Sequence, residues 1–306
     1  MRQPTPPFAQ SAAPGLEQDR HQRQSAGDLF GRCGVKPPPP LRIRTMTHRL
    51  LRTAPVILAG AFALAACQTA PVADGGFLQS YDSLQTKEGT LRVSIRDRRD
   101  DTAAQAIERV FVEPSVLTAG AADGIAPADV AMVLGEVDRQ VCYEISERFT
   151  VLAAPAPDAA RVRAAVTRIV PTEPTGSGAA AVANFFIPGP IGVRAPGTTG
   201  TLAAEAELIA VGGTQVAALA WARSANVVGM DTPSLSRVGD ALQFAELFGD
   251  QVGDSFAPRD RKVRDIATPD PCERFGPRNQ PGGFITRAVT GLYVPQTQGV
   301  RPQTPQ

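Results

Sequence analysis

Histidine is nearly absent from this chain. Two occur among 306 residues, His21 and His48, and both precede Cys67. From Cys67 onward there is no His-based triad, no His metal ligand and no side chain whose ordinary pKa lies near neutrality. The phosphate-cradling G-x-x-x-x-G-K-[ST] loop is missing, as are a C-x-x-C pair and a Ca-binding D-x-[DN]-x-[DN]-G loop. "GSG" at Gly176–Gly178 and "GTTG" at Gly197–Gly200 punctuate a loop and lack a strand-turn-helix frame. No catalytic residue, metal site or cofactor is expected. Carboxylates are scattered. Glu205 and Glu207 share one face of an expected strand and read as a solvated face.

Charge of one sign is scarce in the first part of the chain. Residues 1–66 hold nine basic residues against Glu17, Asp19 and Asp28, which leaves 22 basic and 27 acidic residues from Cys67 onward, a net charge of −5. A mildly acidic domain gains nothing from phosphate neutralisation, so nucleic acid is not an expected partner. Residues 1–45 carry "PTPPF" and "KPPPP" with no apolar periodicity, a composition that does not offset the entropy of ordering. They read as a disordered leader.

A long apolar run is also lacking. The longest, Ala54–Ala66, falls short of the about 20 residues a spanning helix needs. It is preceded by "MTHRLLR" from Met46, a positive n-region, and ends in Leu64-Ala65-Ala66-Cys67. That order resembles the export signal and lipobox of bacterial lipoproteins. In that family the Cys thiol takes a diacylglyceryl group, the peptide is cut before the Cys, and the new amine is acylated. The resemblance makes residues 46–66 the signal peptide and Cys67 the lipidated residue. Several acyl chains then anchor firmly, each buried methylene adding about 0.8 kcal/mol. Two explanations place the signal so far in: a start assigned too early, or a long basic n-region. Lipoproteins kept in the inner membrane commonly carry Asp after the Cys, whereas Gln68 follows here. The resemblance therefore implies the inner leaflet of the outer membrane, facing the periplasm, with the membrane itself as a partner through the anchor.

Two further cysteines follow, Cys142 and Cys272. An oxidising periplasm permits a disulfide between them. The alternative has Cys142 buried on a helix and Cys272 free.

Residues 67–89 read as a tether and a docking segment, with Phe77, Leu78, Tyr81 and Leu84 at helical spacing. Residues 90–258 read as the folded domain. "TLRVSIR" alternates as a strand, "RDRRDD" follows as a solvated charged turn, and "RVFVEPSV" is a second strand. Pro127–Phe149 carries an apolar stripe through Val130, Val133, Leu134, Val137, Val141, Ile145 and Phe149. Its other face carries Glu136, Asp138, Arg139, Glu144 and Glu147. "TVLAAP", "RVRAAVTRIV", "TLAAEAELIAV" and "QVAALAWARSANVV" follow as strands, the last two joined at Gly212-Gly213. A second amphipathic helix spans about Ser236 to Phe256. The order β-β-α-β-β-β-β-α predicts an α+β fold, a mainly antiparallel sheet with two helices on one face. Residues 259–306, charged and then Pro/Gln-rich, read as a largely disordered tail.

One long connection, "PTEPTGSGAAAVANFFIPGPIGVRAPGTTG", separates two central strands. Such length is uncommon in a compact domain. Phe185, Phe186, Ile187 and Ile191 either form an apolar lip that meets a partner protein or lipid, or fold back over one end of the sheet.

"GFLQSYDSL", "YEISERFTVLAAPAPDAARVRAAVTRIVPT" and "GTLAAEAELIAVGGTQVAALAWARSA" together resemble the uncharacterised bacterial lipoprotein family catalogued as domain of unknown function 3313, over roughly Gly76 to Phe256. The resemblance implies an envelope lipoprotein and supplies no catalytic residue. The expected function is a periplasmic accessory or interaction domain with no catalysis, meeting an envelope protein partner. The alternatives are a small-molecule or lipid-binding protein using the space between sheet and helices, and a His-free hydrolase.

Overall fold

The computed structural model describes residues 72–87, 93–185, 192–278 and 280–303. In chain order the elements are β1 (Gln85–Thr86), β2 (Val93–Arg99), α1 (Asp101–Ala106), β3 (Arg109–Val112), β4 (Val116–Leu117), α2 (Pro127–Ser146), β5 (Thr150–Val151), β6 (Ala160–Val170), α3 (Pro174–Phe185), β7 (Gly192–Val193), β8 (Thr201–Ile209), β9 (Gln215–Ser224), β10 (Val228–Gly229), α4 (Gly239–Phe256) and α5 (Pro281–Thr290).

The large sheet runs β1-β2-β9-β8-β6-β3-β5, with β4 also beside β6. Its centre is antiparallel: Ile95 faces Trp221, Trp221 faces Ala204, and Ala206 faces Ala164. Gly213, at a φ of 83°, turns the β8–β9 hairpin. At the other edge β3 pairs in parallel with both β5 and β6, and β4 in parallel with β6. The sheet is thus mixed: mainly antiparallel but not purely so. The reason is α2, which carries the chain back as a crossover between β4 and β5, so the strands on either side of it point the same way. The observed order is also richer than expected. Asp97–Arg99 extend β2, and Asp100 then caps α1 by accepting from the Ala103 amide at 2.9 Å. The segment expected as a solvated turn is therefore strand and helix, because its Asp is an N-cap.

One apolar core lies between the sheet and the two long helices. Strand alternation points Ile95, Val162, Val166, Leu202, Leu208, Leu219 and Trp221 into it. The stripes of α2 and α4 supply Val137, Val141, Leu242, Phe248, Val252 and Phe256, with Trp221 and Phe248 ring centroids 5.7 Å apart. These side chains pack between the sheet and the two helices. Among the described residues no helix is long and apolar enough to cross a membrane.

Two polar surfaces are covered rather than solvated. Glu136, Asp138 and Arg139 on α2 are buried beneath the segment after Pro258. This segment, expected to be largely disordered, is described as far as Gln303. Arg139 donates to the Gln298 carbonyl at 2.8 Å, Gln303 Nε2 donates to Asp138 at 2.8 Å, and the Gln303 amide donates to the Ala131 carbonyl. A Cys142–Cys272 disulfide pins it to α2. The second covered surface is the sheet's far face.

Candidate functional site

β8 reads "TLAAEAELI", and strict alternation sends Leu202, Ala204, Ala206 and Leu208 to the core. Ala203, Glu205 and Glu207 therefore project from the opposite face. Register places Glu205 between Ala165 and Ala220, and Glu207 between Arg163 and Ala218. Both carboxylates are 0% exposed. The solvated face expected for this pair is overturned, because residues 72–87 lie across it as a strap.

The strap is not the helix its spacing predicts; it runs as turns and extended chain. Its backbone amides are free to bond sideways, and the two carboxylates take them. Glu205 Oε1 accepts from the Gly75 amide at 2.6 Å, and Oε2 from the Phe77 amide at 3.2 Å and the Tyr81 hydroxyl at 2.7 Å. Glu207 Oε2 accepts from the Gln79 amide at 2.9 Å and Gln215 Nε2 at 2.8 Å, while Oε1 accepts from Arg163 at 2.6 Å. A charged acceptor strengthens each bond. Arg163 also stacks 4.9 Å from the Phe77 ring. Burial, then the hydrogen bond to Glu205, pushes the Tyr81 hydroxyl up to about 12. Gly75 is required by close approach: a Cβ there would lie 2.3 Å from Thr167 Cγ2. Val72 closes the strap, packing on Ala203, Ala220 and Ala222 and donating its amide to Ser94 Oγ at 2.9 Å.

Chemically, this arrangement recognises backbone amides. All four oxygens of the pair are engaged by the strap or by neighbouring side chains. The pair could have been flagged in the sequence: three alanines of β9 (Ala218, Ala220, Ala222) share its face, and so small a surface beside two glutamates invites a close backbone.

The remaining expected residues lie apart from the strap. Leu64, Ala65, Ala66 and Cys67 fall outside the described residues, as do Phe186, Ile187 and Ile191. Phe185 ends α3, so the long connection contains a helix that no periodicity announced. Its return is held by a buried ion pair missed in the sequence: Arg194 donates to both Asp240 oxygens at 2.6 and 3.0 Å, and to Ser177 Oγ and the Thr198 carbonyl. Asp240 also accepts from the Gly200 amide at 2.6 Å. β7 then pairs with β10, Val193 opposite Val228. Cys142 and Cys272 are bonded, as described above. Among the described residues no cluster of three or more His, Cys, Asp or Glu side chains could hold a metal ion.

Fold and covered face define an α+β domain with an N-terminal strap and a disulfide-pinned C-terminal segment. The chain belongs to the DUF3313 family, described as a protein of unknown function, whose model matches residues 73–252. Those limits run from the strap to the last turn of α4. No curated protein matches the chain in sequence. Two crystal forms of the PelC dodecamer from Paraburkholderia phytofirmans, one of them a methionine variant, are similar in structure at 12% identity and a TM-score of 0.32. The matches cover 55% and 56% of this chain and 99% of each PelC chain. A likeness that low carries no argument about function.

Proposed function

We propose that this protein is a lipoprotein of the bacterial cell envelope, acylated on Cys67 and held at the inner leaflet of the outer membrane. Its folded part is a non-enzymatic accessory or interaction domain facing the periplasm. The observation that carries this reading is the order of elements from Met46 to Cys67: basic n-region, short apolar stretch, Leu64-Ala65-Ala66, then Cys67. The Cys142–Cys272 bond fits an oxidising compartment. Intact-mass measurement of membrane-extracted protein is the test. An acylated N-terminal Cys67 is expected, and an unmodified N-terminus upstream of it overturns the reading. Crosslinking in intact envelopes followed by affinity capture tests the interaction role, with one reproducible protein partner expected.

A second reading, ligand binding, has one observation in its favour. A groove of about 1050 Å³ lies at the sheet edge beside α2, walled by Phe111, Val116 and Phe275 with Arg274 and Arg301 on its rim. Native mass spectrometry of delipidated protein separates the two readings, since a retained anionic ligand favours the second.

A further inference from the structure

Three segments far apart in sequence converge at one end of the sheet, the end marked by Thr201 opposite Ser224. The first is the α3–β7 insertion, tied down by Arg194 to Asp240 at the start of α4. The second is the stretch from β10 to α4, which pairs with β7 and whose Leu235 lies beside Gly178 of α3. The third is α5, joined to that stretch where the Tyr293 amide donates to the Pro233 carbonyl and Ser234 Oγ donates to the Tyr293 carbonyl.

This end exposes large apolar side chains that the fold does not use. Met230 is 64% exposed and Phe284 76%, and Val182, Val228, Leu235 and Ile285 on the same three segments are exposed. Exposed apolar area gathered from three segments marks a contact surface. Its charge is as unusual. Of the 27 acidic residues from Cys67 onward, residues 174–193, 225–239 and 281–293 contain one, Asp231, and it pairs with Arg223 at 2.5 Å. Arg237 and Arg287 are the basic residues in those stretches. Glu173, exposed at the start of α3, borders the first stretch, so a domain of net charge −5 presents one end that is apolar and, with Arg237 and Arg287, weakly cationic.

The strap leads to the same end. It passes from Gln79 over Glu207, to Gly75 over Glu205, to Val72 over Ala203, each step closer to Thr201. Cys67 precedes Val72 by five residues, a span of at most about 17 Å.

We propose that this end of the domain rests on a lipid surface with anionic headgroups, its apolar side chains entering the headgroup region beside the acyl chains on Cys67. The proposal rests on the acylation of Cys67. Apolar area plus attraction of arginine to anionic lipid is what binds an interfacial surface, and the short span from Cys67 supplies the proximity. The acyl chains prevent escape; this end sets the domain's orientation.

The test uses full-length protein extracted from membranes and checked by intact mass for acylation. It is reconstituted in phosphatidylethanolamine–phosphatidylglycerol vesicles with brominated acyl chains. Met230→Trp and Phe284→Trp report this end, and Val211→Trp reports the hairpin tip at the opposite end. Buried Trp221 is common to all three and subtracts as background. The expected result is quenching severalfold stronger at residues 230 and 284 than at residue 211. Equal quenching at all three positions in acylated, vesicle-bound protein overturns the proposal and leaves the anchor standing, and so does quenching at none of them because a protein covers that end. Unacylated protein overturns the anchor instead. The end is then judged by sedimentation with the same vesicles. Binding abolished in the Met230→Ser/Phe284→Ser double variant sustains the contact, and absence of binding overturns it.

Discussion

Glu205 shows how one residue changes meaning with its cover. As a strand residue flanked by alanines it has no chemistry of its own; under the strap it accepts from two amides and a tyrosine hydroxyl. Glu205→Gln keeps the shape but replaces one acceptor with a donor facing a donor. Bonds to charged groups contribute about 1.5–3 kcal/mol each in favourable cases. Amide exchange at Gly75 and Phe77 should accelerate accordingly while core amides of β8 and β9 keep their protection. Asp138 makes the opposite point. Burial pushes its carboxyl up to about 6, against the pull of bonds from Gln303 and Ser115. The folded state therefore holds this proton more tightly than the unfolded chain. Stability from it is fully present below pH about 4 and is lost as pH rises through about 6. A two-unit shift corresponds to up to about 3 kcal/mol. Urea midpoints of the wild type should fall across that window more than those of Asp138→Asn.

At the scale of elements, the C-terminal segment and α2 act as one unit. The disulfide closes a loop whose ends are 130 residues apart in sequence. Chain-entropy reasoning assigns such a loop about 4–5 kcal/mol. Around it Tyr143 donates to the Gly276 carbonyl at 2.8 Å, and Arg278 stacks 4.2 Å from the Tyr143 ring while pairing with Asp270 at 2.9 Å. Reduction should lower the thermal midpoint and raise exchange first at residues 270–300, with the β8–β9 hairpin opening only in the global transition. Amphipathic stripes announce both long helices, and α4 and α2 begin within three residues of their expected starts. The short elements escape part of such reading. β5 falls inside "TVLAAP", which reads as a strand, but β4 and β5 have two residues each, too few for any period to show their partners, and their parallel pairing depends on where α2 returns the chain.

For the whole molecule, the division of labour is between a core and its covers. No residue of the strap belongs to the main apolar cluster, which begins at Ile95 with Val93 packed against it. The strap has the small satellite group of Val72, Ala203, Ala220 and Ala222, with Leu84 against it, and a buried Leu78 outside both clusters. A chain lacking residues 72–84 should therefore still unfold cooperatively, with a denaturant slope only slightly reduced, because little apolar area is lost. Glu205 and Glu207 would then meet water, which satisfies a carboxylate as well as an amide does. An undiminished unfolding enthalpy together with unchanged exchange at Ala203 and Ala220 would contradict this picture of a cover.

The sequence by itself determined the elements with a period: the β8–β9 hairpin, the two amphipathic helices and the inward set of strand residues. Periodicity is local, so it survives without knowledge of neighbours. Tertiary structure alone decided which polar residues are buried. Glu205 and its partner Gly75 are separated by 130 residues, Asp138 and Gln303 by 165. Whether a carboxylate on a strand or helix meets water or an amide depends on a segment that arrives from far along the chain, and no local pattern records that arrival.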